Sequence, residues 1–243
     1  MENSRLFVVG DIHACPAELE TLIHSLPLHK EDRLVFLGDY IDRGPGAREV
    51  IDFLLGLKDS GEGELVFLKG NHEDMFLHYL GYSGHYGEAF LFNGGHTTLK
   101  SYGLSPLPAG GDVAAALPEA NLRFLLDLSI LYPVGEVLCV HAGVSPLRPL
   151  EEQIEEELLW IREEFIYNPH SLPYTVIFGH TPQREILFHL PYKVGIDTGL
   201  VYGGKLSCLE LVEKKLFQVG KGSRRVEVRE VGKMWEKLSS SAG

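Results

Sequence analysis

Short apolar runs, each closed by glycine and a polar residue, organise this chain. RLFVVGD (5–11), DRLVFLGD (32–39), ELVFLKGN (64–71), EVLCVHAG (136–143) and TVIFGH (175–180) hold four to seven residues each, mostly Val, Leu, Ile and Phe. Continuous runs of that length predict strands buried on both faces rather than helices. Helical spacing over 16–26, 46–59 and 73–80 separates the first three, so the N-terminal third reads β-α-β-α-β-α around an at least partly parallel sheet. Helical patterns return over 118–128 and 149–166, the latter opening with the acidic EEQIEEE, which reads as a solvated face that complements a helix N-terminus. After TVIFGH, the segments KVGIDTG, KLSCLELV and KLFQV alternate like antiparallel strands, and VEVREV adds one more. A short helix and a loose tail over 238–243 close the chain.

Residues 79–112 fit neither period. Their Gly- and Tyr-rich text, GYSGHYGEAFLFNGGHTTLKSYG, reads as a surface insertion or cap beside a site. Its aromatics, Tyr79, Tyr82, Tyr86, Phe90, Phe92 and Tyr102, are read first as a small secondary core and second as the lining of a cleft. With no internal repeat or interior linker, residues 1–243 are expected to form a single α/β domain.

Composition narrows the partners. At 44% hydrophobic and 23% charged the chain is ordinary for a globular protein, but its net charge of −12 argues against nucleic acid or an anionic membrane surface as a general partner. The N-terminal MENSRLFVVGD lacks a basic leader with an apolar core, and no apolar run reaches the roughly 18 residues needed to span a bilayer, so a cytoplasmic protein is expected. Cys15, Cys139 and Cys208 are odd in number and far apart, which speaks against a disulfide framework; Cys15 has no evident base to make it a nucleophile.

The candidate chemistry lies at the strand ends. In open α/β sheets the ligand site forms beyond the carboxyl ends of the strands. Five such ends here carry Asp11 and His13, Asp39, Asn71 and His72, His141, and His180. Any one of them alone reads as a cap or turn residue. Together they form a carboxylate, imidazole and amide donor set without thiolate, which suits manganese, iron or zinc. The set exceeds what one ion needs, whereas two ions sharing a bridging carboxylate, roughly 3.5–4 Å apart as in phosphate-ester hydrolysis, would use it.

GDIHA (10–14), GDYIDRGP (38–45), GNHE (70–73), HAGVSP (141–146) and GHTP (179–182) occur in the order and approximate spacing of the metallophosphoesterases, and the chain most resembles their phosphoprotein phosphatase branch. That resemblance implies a four-layer α-β-β-α fold, a β-sandwich of two mixed sheets flanked by helices. It implies that Asp11 and His13 hold one metal, that Asp39 bridges two, and that Asn71, His141 and His180 complete the second. Two divalent ions, manganese first and iron or zinc after it, would activate a hydroxide for direct in-line attack. His72 would protonate the leaving oxygen, with Asp42 holding its ring and raising its pKa. Arg43 and, in LLWIREEF, Arg162 would grip the phosphate, with Asn71 beside it.

One departure is Ala14, where the family usually carries Gly. A serine/threonine-type protein phosphatase is the first functional expectation, acting on a phosphoprotein or small phosphoester. A diadenosine tetraphosphate hydrolase is the alternative, and a non-catalytic module on the same fold a distant third. Symmetrical dinucleotide hydrolases typically show GDLVARGP, so Asp42 beside Arg43, together with Glu73, favours the phosphatase.

Overall fold

A computed structural model describes residues 4–61, 63–104, 110–233 and 235, with only the backbone at 110–112. The tail over 238–243 and most of the expected C-terminal helix lie outside the described residues. In chain order, β1 (Leu6–Val9), α1 (Pro16–Ser25), β2 (Arg33–Phe36), α2 (Ala47–Ser60), β3 (Glu64–Phe67) and α3 (Asn71–Tyr79) follow the expected alternation. Next come α4 (His96–Ser101), α5 (Gly110–Ala116), α6 (Glu119–Leu126), β4 (Leu131–Val134), β5 (Val137–Val140), α7 (Glu155–Trp160) and α8 (Glu163–Tyr167). The chain then runs through β6 (Thr175–Phe178), β7 (Leu187–His189), β8 (Lys193–Gly195), β9 (Lys205–Glu210), β10 (Lys215–Gly220) and β11 (Val226–Glu230). None of the described helices is long and apolar enough to cross a membrane.

The strands form two mixed sheets, ordered β11-β10-β9-β1-β2-β3 and β4-β5-β6-β8-β7. β1, β2 and β3 pair in parallel, as do β5, β6 and β8, with antiparallel neighbours at the flanks. Side-chain alternation turns this pairing into layers. On the first sheet Phe7, Val9, Leu34 and Phe36 face a core shared with α1, α2, α3 and α6. Their neighbours Leu6, Val8 and Val35 face the opposite way, meeting Cys139, Ile177 and Val194 of the second sheet. Leu138, Val140, Val176 and Phe178 then turn outward onto Leu158 of α7 and Phe165 of α8. Three cores between four layers explain why the strand runs are apolar without interruption: both faces of each sheet are covered. The three cysteines are free and buried.

The structure departs from the expected elements in four places. The pattern over 149–166 is not one helix: it divides into a short 3-10 turn at Leu150–Glu152, α7 and α8. Ile161 (φ −59°, ψ 141°) and Arg162 (φ −131°, ψ −99°) break it, so Arg162 caps a new helix instead of riding within one. α3 starts at Asn71 rather than 73, which puts Asn71 and His72 in its first turn. β8, expected to be antiparallel, pairs in parallel with β6 and antiparallel with β7. β4 and β7, the edges of the second sheet, gave no sequence signal; β4 even carries Pro133, tolerable because an edge strand leaves one side of its backbone unpaired.

The aromatics of the 79–112 segment divide. Phe90 stacks on Phe76 and is buried with Tyr102 in the helix-side core, whereas Tyr82, Tyr86 and Phe92 are exposed.

Candidate active site

The loops after β1, β2, β3, β5 and β6 converge, and they do so in unusual backbone shapes. Eight non-glycine residues among those described have positive φ, and six of them, His13, Ala14, Asp39, Asp42, Arg43 and His180, lie in the quoted motifs. Left-handed backbone costs an L-residue about 1–2 kcal/mol, so such a concentration persists only where surrounding bonds hold it. Ala14, at φ 53°, is one of these; its N–H donates to Tyr40 O (2.8 Å) and its carbonyl accepts from Gly46 N (3.0 Å). Replacing Ala14 with Gly should relieve the strain without moving the loop. A gain of about 0.5–1 kcal/mol in unfolding free energy by urea titration is expected.

Glu73 braces the loop after β2. Its Oε2 accepts from Asp39 N (2.9 Å) and Gly70 N (2.9 Å), and its Oε1 from Tyr40 N (2.8 Å) and Ile41 N (3.3 Å). Burial and the nearby Asp39 push this carboxyl up to about 8, while the backbone donors pull the other way. With both oxygens engaged on backbone, Glu73 carries no information about substrate.

Around that loop His13, Asp39, Asn71, His72, His141 and His180 come together, whereas Asp11 belongs to neither of the groups described below. Asp39 Oδ2 lies 3.3 Å from His13 Nε2 and its Oδ1 lies 3.4 Å from His141 Nε2. Asn71 Oδ1 is 3.0 Å from His141 Nε2 and 2.9 Å from His180 Nδ1. His13 Nδ1 faces Ile41 O at 3.1 Å and His141 Nδ1 faces Leu37 O at 2.8 Å, which places the proton of each ring on Nδ1 and leaves the Nε2 lone pairs turned to the centre. Acceptors therefore face acceptors, an arrangement that a cation between them would relieve. Two groups, His13, Asp39 and His72, and Asp39, His141 and His180, have one ligand atom each within 4.8 Å of one another and could hold a metal ion. Asp39 belongs to both.

Burial drives the electrostatics. It holds His13 down at about 3 and His141 and His180 below the ordinary imidazole range, so the rings are neutral donors of lone pairs. Asp39 is instead held low against its burial, with the Arg43 cation among the groups that pull it down. Asp11 accepts from His180 N with both oxygens (3.1 and 3.0 Å), and burial with repulsion from Asp197 and Asp39 raises its pKa well above the usual carboxylate value. Two glycines make room for these carboxylates: a Cβ on Gly70 would lie 2.2 Å from Asp39 Oδ1, and one on Gly179 2.1 Å from Asp11 Oδ1.

His72, in the first turn of α3, donates its backbone N–H to Asp39 Oδ1 (3.2 Å), and its Nδ1 lies 2.7 Å from Asp42 Oδ2. The expected rise in its pKa does not occur: burial, with Arg43 and Arg162 adding to it, outweighs the pull of Asp39 and pushes His72 down to about 4, while burial raises Asp42 well above its usual range. One proton is thereby kept in the Nδ1···Oδ2 contact, leaving Nε2, buried and without a partner among the described residues, to carry another. Thr98, which sequence reasoning missed, closes this network, donating to Asp42 Oδ1 (2.5 Å) and accepting from Asp42 N (2.9 Å). Replacing Thr98 with Val leaves two buried polar groups unpaired. We expect a loss of about 1–3 kcal/mol in urea unfolding and a lower kcat from the freed Asp42.

The arginines take different places. Arg43 Nη1 donates to His13 Nε2 (2.6 Å), with its guanidinium 5.4 Å above the Tyr202 ring. Arg162 is exposed at the start of α8, and its charge lowers the pKa of His72, His141 and His180. Behind it, Phe165 packs on Gly143 of the HAG motif, and the buried Lys193 donates to Phe165 O and Asn168 O. Asp197 joins the acidic set unanticipated, pushed up to about 6 mainly by burial, and Asp74 ties the insertion down by accepting from His85 N (2.9 Å).

The calcineurin-like phosphoesterase profile matches residues 4–203. The chain belongs to this family. As in other metal-dependent phosphoesterases, the neutral imidazoles and carboxylates gathered at the strand ends are the chemistry expected for its metals. An asymmetrical bis(5'-nucleosyl)-tetraphosphatase PrpE from Bacillus subtilis (strain 168) is 28% identical, with 87% of this chain and 93% of the relative aligned. The same-named enzyme of Anoxybacillus flavithermus is 26% identical over 87% and 92% of the two chains. Among solved calcineurin-like folds, one described as a diadenosine tetraphosphatase superposes with a TM-score of 0.68 at 25% identity, covering 90% of this chain and 95% of its own. A cold-active protein-tyrosine phosphatase of a Shewanella species shares the fold at TM-score 0.60 and 19% identity, with 93% and 80% covered.

Proposed function

We propose that this phosphoesterase hydrolyses dinucleoside polyphosphates, the alternative of the two enzymatic expectations, rather than phosphoproteins. The observation that carries it is the similarity, over nearly nine-tenths of this chain and more than nine-tenths of the relatives, to enzymes named for cutting bis(5'-nucleosyl) tetraphosphates. The protein-phosphatase likeness rests on fold at lower identity. The contrast with GDLVARGP concerns symmetrical hydrolases, whereas these relatives are asymmetrical, and Glu73 braces backbone instead of reading substrate. A non-catalytic role gains no support from any of these observations.

In this reading Asp11, His13 and Asp39 hold one divalent cation, and Asp39, Asn71, His141 and His180 a second. Cations held by these residues would acidify a water and add positive charge against the phosphate chain. Arg43 and Arg162 bind phosphate oxygens through their planar forks, with the Asn71 amide beside them. Water adds at one phosphorus, the bond to a bridging oxygen breaks, and the Nε2 proton of His72 goes to the departing oxygen. Asp42, fixed by Thr98, keeps the ring in line.

The test is hydrolysis, with added Mn²⁺, of diadenosine tetraphosphate against phosphoserine and phosphothreonine peptides, following nucleotides and free phosphate separately. Adenosine mono- and triphosphate from the dinucleotide are expected. Phosphate release from the peptides with the dinucleotide left intact would overturn the reading.

A further inference from the structure

A hollow of about 330 Å³ opens between Tyr86, Ala89, Asn93 and Trp160. We propose that it seats one nucleobase of the substrate, an inference that rests on the dinucleotide reading above and names the surface that would recognise a base.

The hollow joins the site from both ends. Trp160 ends α7 two residues before Arg162, and its ring centroid lies 6.3 Å from that of His180. On the other side Asn93 precedes Gly94, whose carbonyl faces Arg43 N at 3.5 Å. The walls of the hollow therefore lead directly to Arg162 along the chain on one side and to the Arg43 backbone on the other. The walls suit a flat aromatic ligand: Tyr86 meets Trp160 edge-on at 5.1 Å, giving two rings set 80° apart. Base stacking on such rings tolerates any base, since each has a π face. Asn93 adds direction, because one amide N–H is held by Ala89 O (2.9 Å) while the other and Oδ1 have no partner among the described residues. That free donor and acceptor pair is the kind that matches an adenine edge.

Three further features set this surface apart from a small core. Tyr86 is 42% exposed and Phe92, one residue before Asn93, is 93% exposed, whereas Phe90 of the same segment is fully buried. Tyr86 also adopts φ 56°, a strained conformation for a bulky ring, and its hydroxyl is tied to Glu156 of α7. The indole N–H of Trp160 is buried with no acceptor among the described residues, which is uncommon for tryptophan.

The chain's two tryptophans provide the readout. Trp235 packs on Phe188 and Lys214, away from the hollow, so Trp235→Phe leaves Trp160 as the sole indole with activity unchanged. Titrating that protein with adenosine monophosphate should quench its fluorescence saturably, whereas inorganic phosphate should not. In parallel, Tyr86→Leu and Asn93→Ala should each lower the ratio of kcat/KM for diadenosine tetraphosphate over inorganic tetraphosphate by about tenfold, as expected for a lost stacking or edge contact. If the wild-type protein cleaves the dinucleotide yet the monophosphate does not quench and both ratios are unchanged, the subsite is wrong and the function stands. If the wild type leaves the dinucleotide intact, the functional reading falls. Saturable quenching by the monophosphate would then still support a base site, and its absence would remove that too.

Discussion

Replacing Asp39 with Asn should abolish metal loading and lower activity at least about a thousandfold. Among the described residues Asp39 is shared by both groups able to hold a cation, with separate oxygens turned to His13 and His141. Asparagine keeps the shape and tolerates the left-handed backbone at φ 53° at least as well as aspartate. The backbone N–H bonds to Glu73 are also preserved, so the fold should survive and the loss should report the charge. Elemental analysis of the purified chain, and the shift of the melting temperature on adding Mn²⁺, give readouts independent of catalysis. The cation should raise the melting temperature of the wild type and leave the variant unmoved, since only binding to the folded state stabilises it. A variant that binds metal like the wild type would remove Asp39 from the bridging role.

His72→Asn should lower kcat by about 10² to 10⁴ while leaving metal content unchanged. Asparagine retains the backbone N–H that meets Asp39 Oδ1 and the place in the first turn of α3, but its amide has no proton acidic enough to replace the one on Nε2. The loss should be greater for phenyl phosphate than for p-nitrophenyl phosphate, because the more basic leaving oxygen depends more on the proton. Equal losses on the two esters would argue against proton donation. A fall in bound metal would instead make His72 a ligand, as its grouping with His13 and Asp39 allows.

Much of the architecture was legible because the local signals were strong. Five uninterrupted apolar runs became β1, β2, β3, β5 and β6, and the polar residues that close them converge on one cleft. The edge strands β4 and β7 were not legible, being short and half-exposed, so neither alternation nor a continuous apolar run marks them. The break at Ile161 and Arg162 was hidden as well: LLWIREEF has a helical pattern, and no Gly or Pro warns of the interruption.

The partners that complete the site share the same invisibility. Thr98 lies 56 positions from Asp42, and Lys193 reaches Phe165 across 28. Nothing in the neighbouring residues of either announces such a contact. Substrate class was not legible for a related reason. Asp42 and Glu73 are bound to Thr98, His72 and backbone groups, so their presence reports how the site is held together and not what it binds. The aromatic segment, treated first as a core, divides into buried Phe90 and exposed Tyr86 and Phe92 only once its turns are placed.

By itself, then, the sequence determined the layers and the kind of chemistry. Apolar runs buried on both faces require covered sheets, and donor side chains at the ends of those strands have few places to go but the common cleft. The tertiary structure alone decided the backbone shapes and protonation of that cleft. His13, Asp39, Asp42 and His180 adopt left-handed conformations that they would seldom choose locally, held by long-range bonds. Burial, a property of the assembled layers, turns its imidazoles neutral and aims their lone pairs inward. Both depend on contacts between residues far apart in the chain, whose free energy no local pattern encodes.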